Sequence, residues 1–151
     1  MTIRQTILLI EDNADDQVLT LRALKKNNIL NRVVVLSDGA DAIDYLFPAD
    51  GQGGEDGDYP GLILLDLKLP RVDGLDVLHR IRSDARTEII PVVVLTSSKE
   101  QEDVLDSYHS GANGYVRKPV AFGDFSEAVR TLGMFWLLLN EAPPRTQPKS
   151  G

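Results

Sequence analysis

The sequence contains no cysteine, and its 151 residues include only two histidines, His79 and His109. The absence of cysteine excludes a disulfide framework, thiolate catalysis, iron–sulfur clusters and cysteine-based zinc sites. Both histidines fall in segments with helical periodicity. We expect them to be surface or helix-packing residues rather than metal ligands.

Long apolar runs and a net positive charge are also absent. No segment has the length and purity of a membrane span, and residues 1–5 lead into a strand pattern without the features of a signal peptide. The formal net charge of -7 disfavours binding to nucleic acid or to anionic lipid. We therefore expect a cytoplasmic protein whose partners are other proteins.

The composition is that of one soluble globular domain. Hydrophobic residues make up 42% of the chain and charged residues 26%, which is enough apolar material to form a core. A chain of this length accommodates one ordinary domain and is too short for a second of similar size.

Five apolar segments of strand length recur along the chain, near residues 6–10, 32–36, 62–66, 91–96 and 114–117. Segments of helical period separate them. Continuous apolar runs are typical of strands covered on both faces, so the pattern predicts an α/β fold with a five-stranded parallel sheet and five helices on both faces. Asn13 and Asp38 are each followed three residues later by an aspartate, which predicts helix N-caps. Residues 48–60, rich in Gly and Asp, predict an exposed loop.

Polar side chains end or directly follow four of the predicted strands. They are Glu11 and Asp12, Asp66, Thr96, and Lys118. Ligands of open parallel sheets bind beyond the carboxyl ends of the strands. Three carboxylates gathered there repel one another unless a cation lies among them, and oxygen ligands suit Mg²⁺. The sequence therefore predicts a magnesium site at which an aspartate can carry a phosphoryl group.

Four segments carry a resemblance to a known family: ILLIEDN at 7–13, LLDLKLP at 64–70 followed by Asp73-Gly74, VLTSS at 94–98, and YVRKP at 115–119. They resemble the receiver domain of two-component response regulators. The resemblance covers about residues 5–140 and implies the flavodoxin-like, doubly wound receiver fold. We expect residues 141–151 to form a disordered tail.

The resemblance implies a role for each site residue. Asp66 corresponds to the phosphoacceptor, and Glu11, Asp12, Asp66 and the backbone carbonyl of Lys68 correspond to the Mg²⁺ ligands.

The resemblance also implies three residues that respond to the phosphoryl group. Thr96 and Lys118 correspond to the side chains that bind its oxygens. Thr96 and Tyr115 correspond to the switch that changes position on phosphorylation.

A narrower resemblance is to the stand-alone response regulators of bacterial phytochromes. It rests on EDN at 11–13 with Asp15-Asp16, the long loop before the third strand, LDLKLP at 65–70 and FWL at 135–137. It implies a phytochrome as the partner sensor histidine kinase.

The leading hypothesis is a signalling protein rather than an enzyme. It receives a phosphoryl group on Asp66 from a sensor histidine kinase and acts by phosphorylation-dependent protein contacts. The alternatives are a phosphate shuttle or sink in a phosphorelay, an interaction module that keeps only the fold, and a Mg²⁺-dependent hydrolase with an aspartate nucleophile. Dehalogenase-like phosphatases of that last kind need a second aspartate at the position of Lys68.

The predicted fifth helix is apolar on more than one face. One apolar stripe runs along it, and its end, residues 134–139 (MFWLLL), is apolar all round. We expect this surface to form a homodimer interface, because aromatic anchors concentrate in such patches. The expected interface residues are Phe122, Phe125, Phe135, Trp136 and Leu139.

Overall fold

The computed structural model describes residues 6–26, 29–49, 51, 53–54, 57–96, 106 and 110–117. For residues 96 and 115–117 the description is limited to the backbone. The predicted fifth helix and the tail lie outside these residues, as does the predicted fourth helix except for Asp106 and the turn at its end. Within the described part of the chain, no helix is long and apolar enough to cross a membrane.

The five predicted strands are present at the expected places. They are β1 (Ile7–Ile10), β2 (Val33–Leu36), β3 (Leu62–Leu65), β4 (Val92–Thr96) and β5 (Gly114–Arg117). All pairings are parallel, and the strand order is β2-β1-β3-β4-β5. After β1 the chain forms β2 at one edge of the sheet, and it then crosses to β3 on the other side of β1. The strand order therefore reverses between β1 and β3, where open parallel sheets place their ligands.

Three helices lie within the described residues: α1 (Ala14–Lys26), α2 (Gly39–Leu46) and α3 (Gly74–Arg82). The predicted caps are confirmed. The side-chain oxygen of Asn13 accepts from the Asp16 amide at 3.0 Å, and that of Asp38 accepts from the Asp41 amide at 2.8 Å. Each bond satisfies an amide that the first helical turn leaves unpaired.

Side chains of the central strands alternate between two cores, one on each face of the sheet. Ile7, Leu9, Leu62 and Leu64 pack with residues of α1 in the first core. The intervening strand residues pack with α2 and α3 in the second core, whose strand members include Leu8, Ile10, Ile63 and Leu65. Because these strands are buried on both faces, they appear in the sequence as unbroken apolar runs. The prediction of helices on both faces is confirmed by the three described helices.

The expectation of an exposed loop at 48–60 is wrong for part of that segment. Gly53 and Pro60 are buried, and the Gly53 amide donates to the Tyr59 hydroxyl at 3.1 Å. The Gly54 amide donates to the Tyr45 carbonyl at 2.8 Å, with φ of 74° at Gly54. A tyrosine hydroxyl and a helix carbonyl satisfy the backbone here, which allows the loop to fold against α2.

Candidate functional site

Three carboxylates meet at the carboxyl ends of β1 and β3. Oxygens of Glu11, Asp12 and Asp66 all lie within 4.8 Å of one another. Glu11 is 1% exposed and Asp66 is 8% exposed, whereas Asp12 is exposed. The backbone holds them there, because the Glu11 amide donates to Leu36 O at 2.9 Å and the Asp66 amide donates to Ile10 O at 3.0 Å.

The chemistry of this donor set fits a hard divalent cation. Two of its three acids are buried, and clustered buried carboxylates are unfavourable unless positive charge or hydrogen bonds compensate them. Backbone amides supply some compensation: Asn13 N lies 3.3 Å from Glu11 Oε2, and Lys68 N lies 3.1 Å from Asp66 Oδ1. Carboxylate oxygens without histidine or thiolate are the ligands that Mg²⁺ prefers.

The loop after β3 turns back on itself directly behind Asp66. The Gly74 amide donates to Leu67 O at 2.8 Å and to Asp73 Oδ1 at 3.0 Å. A Cβ at position 74 would lie 2.3 Å from the Asp66 carbonyl oxygen, so only glycine fits this close approach. The Asp73-Gly74 pair thus starts α3 and closes the loop that carries Lys68.

The backbone brings the end of β4 to the same edge of the sheet. Leu65 pairs with both Ile10 and Val94, so Asp66, directly after β3, and Thr96, at the end of β4, belong to neighbouring strands. Thr96 pairs in turn with Arg117, the residue before Lys118. The predicted roles of the Thr96 and Tyr115 side chains fall outside what is described. Lys118 lies wholly outside the described residues. The predicted interface residues do so as well: Phe122, Phe125, Phe135, Trp136 and Leu139.

His79 takes no part in the described acidic group. His79 is exposed on α3, and its Nε2 lies 2.7 Å from Ser110 Oγ. This position agrees with the surface role expected for His79, whereas His109 lies outside the described residues.

Sequence reasoning missed one helix residue that supports the site. Gln17 on α1 donates from Nε2 to the Glu11 carbonyl at 2.6 Å, and its Nε2 lies 3.3 Å from Ser37 Oγ. It therefore joins the ends of β1 and β2. The position of Gln17, one turn after the Asn13 cap, could have indicated this role, because that helical turn faces the strand ends.

Sequence reasoning also missed an ion-pair cluster at the rim of the site. Arg71 Nη2 lies 2.9 Å from Asp38 Oδ2 and 2.7 Å from Asp41 Oδ1. The pKa of Asp38 is held below its ordinary value, first by the hydrogen bond from the Asp41 amide and also by Arg71. No local sequence pattern predicts this pairing, because Arg71 and the two aspartates are far apart in the chain.

Comparisons with known proteins converge on one family. The family model of the response regulator receiver domain matches residues 7–130. The chain is 39% identical over 134 residues to the response regulator Rcp1 of Synechocystis sp., covering 88% of this chain and 89% of Rcp1. The Mn²⁺-bound structure of Rcp1 superposes with a TM-score of 0.80 at 38% identity, covering 93% of this chain and 99% of that one.

Two further proteins are similar over nearly the whole chain. The phosphorylated cyanobacterial phytochrome response regulator RcpA has a TM-score of 0.80 and 34% identity, covering 94% of this chain and 100% of that one. A probable methanogenesis regulatory protein, FilR2 of Methanothrix harundinacea, is 39% identical over 137 residues, which are 91% of this chain and 86% of FilR2.

Proposed function

The chain belongs to the response regulator receiver domain family, whose members signal through phosphorylation, and we propose that it accepts a phosphoryl group on Asp66 from a sensor histidine kinase. The phosphorylated protein then signals by contacts with other proteins. The observation that carries this proposal is the gathering of Glu11, Asp12 and Asp66 at the reversal point of the sheet.

In the proposed reaction an Asp66 carboxylate oxygen attacks the phosphorus of a phosphohistidine. The new O–P bond forms as the P–N bond breaks, and the electron pair of that bond stays on the imidazole nitrogen, which takes a proton from solvent. Asp66 is the acceptor in this scheme because it follows the central strand β3, between the acidic pair after β1 and Thr96 at the end of β4.

We propose that Glu11, Asp12, Asp66 and the Lys68 carbonyl hold Mg²⁺ during this transfer. A bound Mg²⁺ neutralises charge on the phosphoryl oxygens, which would otherwise repel the three carboxylates. The Mn²⁺-bound structure of Rcp1 supports a divalent cation in a similar receiver.

We propose that Lys118 and Thr96 bind the phosphoryl oxygens. We also propose that Thr96 and Tyr115 form the switch that changes position on phosphorylation. A lysine ammonium offers a mobile point charge and a threonine hydroxyl offers one hydrogen bond. The β4–β5 register supports this assignment, because Thr96 lies beside the residue that precedes Lys118.

For the partner kinase we propose a phytochrome. Similarity to RcpA, a phytochrome response regulator, supports this choice. Similarity to FilR2 supports a different sensor as the alternative. Incubating the protein with phosphorylated phytochrome kinases and with unrelated histidine kinases distinguishes the two, and transfer at equal rates from both groups would contradict the phytochrome assignment.

The test of Asp66 is labelling with acetyl phosphate and Mg²⁺, read by intact mass. The wild-type protein should gain one phosphoryl group and Asp66→Asn should gain none, because the amide lacks the nucleophilic oxygen. Asp76→Asn is the matched control, since Asp76 is an exposed acid of α3 that does not belong to the carboxylate group. Wild-type labelling of Asp66→Asn would reject the assignment.

A further inference from the structure

Arg71 adopts a backbone conformation that a residue with a side chain rarely takes. Its φ is 65°, and it is the only non-glycine residue with positive φ in the described part of the chain. The Val72 amide donates to the Pro70 carbonyl at 2.8 Å, so Arg71 is the central residue of a three-residue turn. The positive-φ form of this turn is rare and strained. Surrounding contacts must therefore hold it in place.

The Arg71 side chain supplies such contacts. Its guanidinium binds both oxygens of Asp38, with Nη2 2.9 Å from Oδ1 and 2.9 Å from Oδ2 and with Nε 3.1 Å from Oδ2. Nη2 also donates to Asp41 Oδ1 at 2.7 Å. A guanidinium fork that binds two oxygens of one carboxylate fixes direction as well as distance, which a single point charge does not.

The backbone of the same turn touches the start of α2. The Gly39 amide donates to the Pro70 carbonyl at 3.2 Å. A Cβ at position 39 would lie 1.9 Å from the Val72 carbonyl oxygen, so the two segments are in direct contact. The tip of the β3–α3 loop is thus joined to α2 by one backbone bond and by the Arg71 side chain.

The other end of this loop is the site itself. The Lys68 amide donates to Asp66 Oδ1, and Gly74 closes the loop onto Leu67. Lys68 lies between these fixed points and the turn at Arg71. A shift of the turn would therefore move the Lys68 peptide relative to the Asp66 carboxylate.

We propose that Arg71, bound to Asp38 and Asp41, is a positioning residue that holds the β3–α3 loop in the geometry that binds the divalent cation. The proposal rests on the function proposed above, because it acts through the Lys68 carbonyl. The side chains of Arg71, Asp41 and Asp38 are 58%, 52% and 18% exposed, and ion pairs at the surface add little to global stability. The cluster therefore acts on local geometry.

Two variants separate positioning from folding. Arg71→Gly removes the side chain and also tolerates positive φ, so the strain disappears together with the side-chain contacts. Asp38→Asn keeps an oxygen that can cap α2 and removes the charge that binds Arg71. Arg71→Lys keeps the charge without the fork and should recover part of the effect. Arg80→Ala is the control, because Arg80 is an exposed arginine of α3 that pairs with Asp84 rather than with an acid of this cluster.

The measurements are Mg²⁺ titration by calorimetry, hydrogen exchange of the amides of residues 67–69 and 71–74 without metal, and thermal unfolding. Arg71→Gly and Asp38→Asn should raise the Mg²⁺ Kd roughly tenfold, the scale known for groups that orient metal ligands, with Arg71→Lys between them and the wild type. In the same two variants these loop amides should exchange faster than in the wild type when no metal is present. Thermal unfolding of Arg71→Gly should stay near that of the wild type.

The outcomes separate this proposal from the proposed function. Unchanged Mg²⁺ Kd and exchange in Arg71→Gly and Asp38→Asn would overturn the positioning role, even if Asp66 is labelled normally. A wild type that is not labelled at Asp66, but whose Mg²⁺ Kd rises in both variants, would reject the phosphorylation proposal and support the positioning role.

Discussion

The three acids of the site differ most in how deeply they are buried. Glu11 and Asp66 are almost inaccessible, whereas Asp12 is exposed. A buried acid has a structural role as well as a charge, because its removal leaves polar partners unpaired. Asp12 can be changed with little effect on packing. It is therefore the residue at which charge can be tested separately from folding.

We predict that Asp12→Asn weakens Mg²⁺ binding by roughly tenfold or more, because a hard cation loses one of three carboxylates. Without metal the same change should leave the free energy of unfolding unchanged or raise it by up to about 1 kcal/mol, since one charge is removed from a repelling cluster. Calorimetric titration and urea unfolding with a chelator measure the two effects. An unaltered Mg²⁺ titration would rule out Asp12 as a ligand.

At the scale of elements, the end of α3 joins the second half of the sheet. Arg82 donates to the carbonyls of Ile90 at 2.7 Å and Gly111 at 2.8 Å and to Asn113 Oδ1 at 2.8 Å. Asn113 Oδ1 also accepts from the Val92 amide at 2.8 Å. Burial lowers the pKa of Arg82, and the carbonyl acceptors satisfy its donors. One side chain thus ties α3 to the beginnings of β4 and β5.

The turn after α3 contains an aspartate whose charge should make stability depend on pH. Asp84 accepts from the Arg86 guanidinium at 2.7 Å and 2.9 Å and from the Arg86 amide at 2.9 Å. These bonds hold its pKa well below the ordinary value. Because the folded-state pKa lies below the unfolded-state pKa, the stabilisation is complete above about pH 4 and is lost as the pH falls toward the folded-state pKa.

We predict that Asp84→Asn lowers the free energy of unfolding by about 1 kcal/mol at pH 7, the usual scale of such a pair at the surface. The difference from the wild type should shrink steadily below about pH 4, where protonation removes the same charge from the wild-type protein. Urea unfolding at pH 7, 4 and 3 measures it. A difference that does not change with pH would show that the Asp84 charge contributes nothing.

At the scale of the whole molecule, the homodimer remains a prediction from sequence. Its proposed interface residues, Phe122, Phe125, Phe135, Trp136 and Leu139, lie outside the described residues. The end of the predicted fifth helix is apolar on more faces than one sheet can cover. A large aromatic at the centre of such a patch tends to dominate the binding energy.

We predict that replacing Phe135 and Trp136 by Ala shifts the protein toward monomer. An anchor worth about 2 kcal/mol corresponds to roughly thirtyfold weaker association. Labelling of Asp66 by acetyl phosphate should persist, because the carboxylates lie at the strand ends. Sedimentation at micromolar concentration measures the association. A wild type that is monomeric with and without a phosphoryl mimic would refute the dimer.

The strands, the helix caps and the polar residues at the strand ends could all be predicted from the order of the amino acids. The strands were predictable because burial on both faces leaves an unbroken apolar run, as in Leu62–Leu65. The Asn13 and Asp38 caps were predictable because a cap bonds to an amide only three residues away. Glu11, Asp12 and Asp66 could be proposed together because parallel strands present their carboxyl ends at one edge.

Tertiary structure alone decided which groups meet. The strand order sets Asp66 beside Glu11, and the sequence carries no local signal for that order. The contact between Arg71 and Asp38 joins residues 33 positions apart, and Arg82 reaches Asn113 over 31 positions. Periodicity and capping describe neighbours within a few residues. Contacts between distant segments depend instead on how the elements pack, because only packing brings their side chains within reach.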